Sequence, residues 1–406
     1  MNDFISKNTY FTRSSGDLIM QINSEANKQK SKGKKVINGS IGMLFDDDSS
    51  LASFSVVDEY LKKNIKEDSK KYDSIIGNNR FQEAIISWLF HNNDLKDRYC
   101  DVIGTMGATG ALAVINKCFI NNDEAIILPS IMWGNYDSIA YENNNKVMIY
   151  NLFKDGVFDI DSLKEQVNES CLIYKRAVVL INDPCQNPSG YSLSNEEWDE
   201  ILSFLKMKSN EYPIVLVDDI AYLNFYRNSY RDVFQKLIDS SSDRLLVTIC
   251  FSSSKTLQIY GLRGGALITL TSSKEVHEDI LGVTKIYCRS TWSSPNHLAT
   301  NVMGELFLNE STRNAILKDL DYYRDLLYKR AEIFIQEAKE IDLNTCPYKG
   351  GFFIFIEVDN NIIVAERLMK KGLFIVPMSE GIRISIASIP TNEISGIAKL
   401  IKEAIY

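Results

Sequence analysis

Leu245-Leu246-Val247-Thr248-Ile249, then Ser252-Ser253-Ser254-Lys255, then Arg263-Gly264-Gly265: from this stretch the rest of the chain reads outward. A short run rich in β-branched residues and apolar on both faces is the pattern of a strand buried inside a parallel sheet. It ends in hydroxyls, a lysine and an arginine. A lysine at the end of a buried strand is poorly placed as a merely solvated charge, and such a position suits an amine that forms a Schiff base. Ser252 and Arg263 lie three residues before and eight after Lys255, where a hydroxyl and a guanidinium fork can share one phosphate. Read by itself, the segment fits a surface loop rich in Ser and Lys equally well.

Similar runs recur at 125–128, 147–152, 177–181, 214–217 and 266–270, with helical periodicity between them. It is clearest at 194–206, where Asn195, Glu196 and Glu197 follow a Ser194 cap. Strands alternating with helices predict an α/β fold with a large, mostly parallel sheet covered by helices. The order then changes. A long helical stretch at 311–339, runs at 352–358, 374–377 and 382–387, and a last helix from about Asn392 suit a smaller α+β domain. The expected division is an N-terminal segment 1–48 joining the small domain, a large domain 49–310 and a small domain 311–406.

Composition narrows the function. The 406 residues are 45% hydrophobic and 24% charged, as in ordinary globular chains, and the formal net charge of −8 repels phosphate backbones and anionic membranes. Neither nucleic acid nor membrane is an expected partner. The seven cysteines form no C-x-x-C pair and read as reduced thiols, and residues 1–15 lack an apolar leader, so the expected location is cytoplasmic. Three histidines (His91, His277, His297) have no metal-ligand spacing, and no metal site is expected. No G-x-S-x-G, Walker A or G-x-G-x-x-G loop follows a strand.

Other strand ends carry complementary pieces. Gly107-Ala108-Thr109-Gly110 opens an apolar helix, whose first N–H groups and Thr109 hydroxyl can bind an anion. Asn182-Asp183-Pro184-Cys185-Gln186-Asn187-Pro188 reads alone as a Pro-rich turn, and Asp218-Asp219-Ile220-Ala221-Tyr222 as a helix cap.

Together, from about residue 37 to 387 and in register, these motifs resemble the fold-type-I pyridoxal-phosphate enzymes. Within them they are most similar to the class I aminotransferases of the aspartate and aromatic group. The resemblance implies a large domain built on a seven-stranded sheet, and pyridoxal 5'-phosphate as cofactor. Lys255 matches the Schiff-base lysine, which also shuttles the Cα proton. Asp219 matches the partner of the pyridine nitrogen, which leaves the preceding Asp218 without a role, and Tyr222 and Asn187 match donors to the phenolic oxygen. Ala108, Thr109, Ser252 and Arg263 match the phosphate cup, and Trp133, in Pro129-Ser130-Ile131-Met132-Trp133-Gly134-Asn135-Tyr136, matches the aromatic stacked on the ring. Arg383 matches the grip on the substrate α-carboxylate, with Gly42 and Asn187 beside it.

Tyr72 matches a residue that reaches the neighbouring subunit's phosphate, which implies a homodimer with shared active sites. Arg289, before Trp292, Ser293 and Pro295, matches the arginine that reads a distal carboxylate, whereas Ser294 and Asn296 depart from that loop. Thr256-Leu257-Gln258 and Asn224 also depart. The implied reaction is ping-pong transfer of an amino group between an L-amino acid (aspartate, glutamate or aromatic) and a 2-oxo acid such as 2-oxoglutarate. A lyase on the same cofactor (C–S cleavage or β-decarboxylation) and a non-enzymatic sensor domain are the alternatives. The acidic chain, with no helix-turn-helix or basic arm before residue 40, disfavours the sensor.

Overall fold

Seven strands build the central sheet: β1 (Tyr99–Met106), β2 (Ala125–Pro129), β3 (Lys146–Tyr150), β4 (Ala177–Ile181), β5 (Ile214–Asp219), β6 (Leu245–Ser252) and β7 (Gly264–Thr271). The computed structural model describes residues 18–91, 93–95 and 97–406, so the leaderless start read from the sequence lies outside the described residues. The sheet order is β1-β7-β6-β5-β4-β2-β3. Every neighbouring pair is parallel except the two that β7 makes with β1 and β6. The interior strands are buried along their length, β4 and β5 completely, which is why they read as continuous apolar runs.

Six of the seven strands coincide with runs predicted from the sequence, within a residue or two at most ends. The exception is β1, which escaped because it lies at the sheet edge with a half-exposed start and because Asp101 and Gly104 break its apolar run. Five helices matter below: α1 (Leu18–Ser31), α2 (Gly107–Phe119), α3 (Asn195–Ser209), α4 (Lys274–Thr291) and α5 (Glu310–Glu340). The α3 start is the one expected: the Ser194 hydroxyl accepts from Glu197 N–H, and the Glu197 carboxylate accepts from Ser194 N–H.

Downstream of the large sheet, the long α5 is followed by a three-stranded antiparallel sheet of β8 (Phe353–Glu357), β10 (Gly381–Ser385) and β9 (Val376–Met378), and the buried side of α5 joins the same apolar core as that sheet. Ile37–Asn38 pairs in parallel with Leu373–Phe374, and Ile22 and Ala26 of α1 pack on Phe374. Arg330, on α5 and fully buried, donates to the carbonyls of Phe45 (2.9 Å) and Ala387 (3.1 Å) and pairs with Asp47 at 2.8 Å. The terminal helix expected from Asn392 is interrupted. A short turn, Thr391–Ile394, stops at extended Ser395, and Ile397–Ile405 starts anew, because the Glu337 carboxylate accepts the N–H groups of Gly396 (2.7 Å) and Ala398 (3.2 Å).

Candidate active site

Because β1, β2, β4, β5 and β6 run the same way, their C-terminal ends share one edge of the sheet, and β7 begins there. In open α/β sheets this is the edge where ligands bind. The residues that follow each strand, Gly107, Ser130, Asn182, Ile220 and Ser253, open onto that edge, and a cleft of about 260 Å³ lies against it. It is lined by eleven of the thirteen residues singled out from the sequence: Gly42, Ala108, Thr109, Trp133, Asn187, Asp219, Tyr222, Ser252, Lys255, Arg263 and Arg383. The other two are elsewhere. Tyr72 is 90% exposed, and Arg289 is exposed with its Nη1 donating to Ser293 Oγ at 2.6 Å, so neither reaches the cleft of its own chain.

At the floor of the cleft, Asp219 closes β5. Its Oδ2 accepts from the Tyr136 hydroxyl at 2.7 Å and its Oδ1 from Ala221 N–H at 3.1 Å. Burial pushes this carboxyl upward, while the two donors and the lysine charge pull it back. Asp218, one residue earlier, points to the other face of the sheet, as strand alternation requires. It is fully buried against the Tyr230 hydroxyl at 3.2 Å and does not line the cleft.

Lys255 sits one turn past the end of β6, its Nζ 5.3 Å from the centroid of the Tyr222 ring. Burial lowers its ammonium to about 8. Asp219 opposes that shift, and the nearby positive charges of Arg263 and Arg383 add to it. Tyr222 is held as a neutral hydroxyl, because burial raises its titration far more than Arg383 lowers it.

One wall is built to take an anion. Helix α2 begins at Gly107 with no side chain capping its first turn, so the helix presents its N-terminal N–H groups and positive dipole end to the cleft. Gly107 has φ +69, and a β-carbon there would stand 2.9 Å from Arg263 Nη2. The guanidinium therefore lies directly on the helix start. Arg263 is itself braced, its Nη1 donating to Tyr260 O at 3.0 Å and Ser254 Oγ at 3.4 Å.

At the opposite wall Arg383, 2% exposed on β10, donates through Nη2 to Ser40 O at 2.8 Å and through Nη1 to Asn187 Oδ1 at 3.4 Å. Its guanidinium carbon rests 4.3 Å from the Phe353 ring centroid. Asn187 is held in turn by Asn182, whose Oδ1 accepts Asn187 N–H at 2.8 Å and whose Nδ2 donates to Asp219 O at 2.6 Å.

Sequence reasoning missed Tyr136, Asn182 and Phe353. Tyr136 stands three residues after Trp133 in the quoted motif, and Asn182 is the first residue of the turn that supplied Asn187, so both had a local signal. Phe353 had none, since a phenylalanine in an apolar strand reads as core.

The arrangement joins a lysine of lowered proton affinity, a buried carboxylate with two donors, an anion wall and a second guanidinium across a small cleft. The chain matches the family described as aminotransferase class I and II over residues 34–401. It is 24% identical over 398 residues to the aromatic-amino-acid aminotransferase of Escherichia coli (strain K12), covering 95% of this chain and 96% of that one. A crystal structure of an aminotransferase from Anaerococcus prevotii superposes with a TM-score of 0.94 at 31% identity over 99% of each chain. An aromatic-amino-acid aminotransferase from Burkholderia pseudomallei, covalently bound to pyridoxal phosphate, shares the fold with a TM-score of 0.82 at 19% identity, covering 99% of this chain and 100% of that one.

Proposed function

The chain belongs to the aminotransferase class I and II family, and from that premise we propose that it moves an amino group between an L-amino acid and a 2-oxo acid with pyridoxal 5'-phosphate as cofactor. Aspartate or an aromatic amino acid is the donor with 2-oxoglutarate as acceptor, and glutamate is the donor in the reverse direction, towards another 2-oxo acid. The observation that carries this reading is the Lys255 amine, lowered to about 8 in a cleft that also holds Asp219, Arg263 and Arg383.

The donor set fits that cofactor. Its phosphate would be held by the N-terminus of α2 with Ala108 and Thr109, by Ser252 and by Arg263, where the missing Gly107 side chain leaves the guanidinium against the helix start. Its ring nitrogen would face Asp219 and its ring Trp133. When bound, pyridoxal phosphate supplies an aldehyde for amines to condense with and a ring that takes up the electron pair left on the substrate Cα.

The chain's own groups do the rest. Lys255 Nζ, with a populated neutral form near pH 7–8, serves as nucleophile and as carrier of the Cα proton. Asp219, whose upward shift by burial the Tyr136 hydroxyl and Ala221 N–H offset, would give a buried proton on nitrogen a hydrogen-bonded partner. Tyr222 and Asn187 would hold the cofactor's oxygen by hydrogen bonds, and Arg383 with Gly42 beside it would grip the α-carboxylate.

The same reading extends to a homodimer in the cytoplasm. Exposed Tyr72 and Arg289 would enter the partner's cleft. Helix α4, which carries Arg289, exposes the apolar pair Val283 and Ile286, three residues apart, the latter 72% exposed, and this supports an interface. No helix among the described residues is long and apolar enough to cross a membrane. The division at residues 48 and 310 belongs to this reading too, supported by the pairing of Ile37–Asn38 with Leu373–Phe374.

A panel of amino donors with 2-oxoglutarate, run on wild type and Arg289→Ala, tests the proposal. Glutamate should form in step with loss of the donor. Losing a desolvated charge pair costs on the order of 2–5 kcal/mol, so the variant should lose roughly thirtyfold or more in kcat/KM for aspartate while sparing an aromatic donor. Release of pyruvate and ammonia without glutamate would instead identify a lyase. An equal loss for every donor would make Arg289 structural.

A further inference from the structure

Thr256, Gln258 and Asn224, three of the four residues that depart from the family pattern around the lysine, are joined to its turn by hydrogen bonds. Thr256 Oγ1 donates to Asn224 Oδ1 at 2.9 Å, tying the residue after Lys255 to the turn that carries Tyr222. Gln258 has φ +57, a left-handed conformation that is unfavourable for a residue bearing a β-carbon and persists only where its surroundings fix it.

Here the side chain fixes it. Gln258 Nε2 donates to Lys255 O at 2.5 Å, and Gln258 Oε1 accepts from the Tyr260 hydroxyl at 2.6 Å. The Tyr260 oxygen accepts from Leu44 N–H at 3.0 Å. These directions are forced, because the Lys255 carbonyl can only accept. The amide nitrogen must face it, which leaves the amide oxygen for Tyr260. Leu44 lies two residues beyond Gly42, in the segment whose Ser40 carbonyl holds Arg383 Nη2 at 2.8 Å.

We propose that Gln258 is a positioning residue that locks the Lys255 backbone to segment 40–44 through Tyr260, fixing the distance between the amine end of the cleft and its carboxylate-gripping end. This rests on the reading of Lys255 as the reactive amine and Arg383 as the carboxylate ligand. A substrate held at its α-carboxylate offers its Cα proton to Lys255 only at that separation, and small misplacements of reacting groups cost rate rather than binding.

Gln258→Gly is the decisive variant. Glycine adopts the left-handed turn without strain, so the fold is kept while both side-chain bonds are removed. In the apoprotein, hydrogen exchange at the Leu44 amide should quicken about tenfold in Gln258→Gly and in Tyr260→Phe, and no further in the double variant, since all act on one chain of bonds. In the holoenzyme Gln258→Gly should lower kcat about tenfold or more while KM for the amino donor stays within about threefold. Unchanged exchange at Leu44 would overturn the tie, and faster exchange with unchanged kcat would overturn the positioning role. Covalent fixation of the cofactor at a lysine other than 255 would remove the premise, a failure told apart because the apoprotein exchange does not depend on it.

Discussion

Lys255 is a buried lysine whose surroundings oppose its own charge. An ammonium lowered from 10.5 to about 8 binds fewer protons in the folded state than in the unfolded one between those two values. Stability conferred through this group therefore rises with pH across that window, and the penalty of burying the charge is fully present below about pH 8. In the apoprotein, Lys255→Met should be more stable than wild type at pH 7 by on the order of 2–3 kcal/mol. The gap should shrink as the pH approaches 10, with titrating tyrosines and cysteines cancelling between the two proteins. Denaturation midpoints at equal protein concentration check this, and a gap independent of pH would show that the amine is not desolvated.

At this scale the sequence was most informative where a residue type was out of place, as with a lysine after a buried strand or two acids at the end of one. It was silent where the functional group is also an ordinary core residue. Phe353 carries no mark separating it from its apolar neighbours, although Arg383 rests on it. Strand period alone assigns Asp219 to one face and Asp218 to the other, but which face looks into a cleft depends on the helices packed on each side.

The elements explain how scattered residues converge. A parallel sheet delivers the ends of its strands to one edge, so six segments spread over more than 150 residues meet without any long-range contact being legible in advance. The alternating pattern of runs was enough to foresee the sheet. It was not enough for edge strand β1, whose exposed start and interrupting Asp101 weaken the apolar signal, nor for the break near Ser395, which depends on a carboxylate from α5.

The join between β1 and α2 offers a prediction of its own. At Gly107 an alanine would sit at φ +69 with its β-carbon 2.9 Å from Arg263 Nη2, the mobile end of a side chain, so the guanidinium is displaced and the fold is kept. Gly107→Ala should weaken binding of pyridoxal 5'-phosphate to the apoprotein about tenfold or more, the loss of one charge-assisted hydrogen bond. Binding of pyridoxal, which lacks the phosphate, should change little. Equal weakening of both, or of neither, would remove Arg263 from the phosphate wall. Isothermal titration of the two ligands separates these outcomes.

Over the whole molecule a formal charge of −8 coexists with a cleft lined, among the described residues, by Lys255, Arg263 and Arg383 against the one carboxylate of Asp219. The global field discourages polyanions, while the local one concentrates small anions such as phosphate esters and carboxylates, which is the selectivity an amino-acid enzyme requires. The same scale accounts for Tyr72 and Arg289. Both matched functional positions in the sequence, and both stand on the outside of a single chain, as they would in the homodimer proposed above. The chemistry of one amine underlies the proposed activity. Borohydride reduction of the wild-type protein loaded with pyridoxal 5'-phosphate, followed by peptide mapping, should place the covalent cofactor on Lys255 and leave Lys255→Ala unlabelled. Label on another lysine, or no label on a protein that transfers amino groups, would contradict the account.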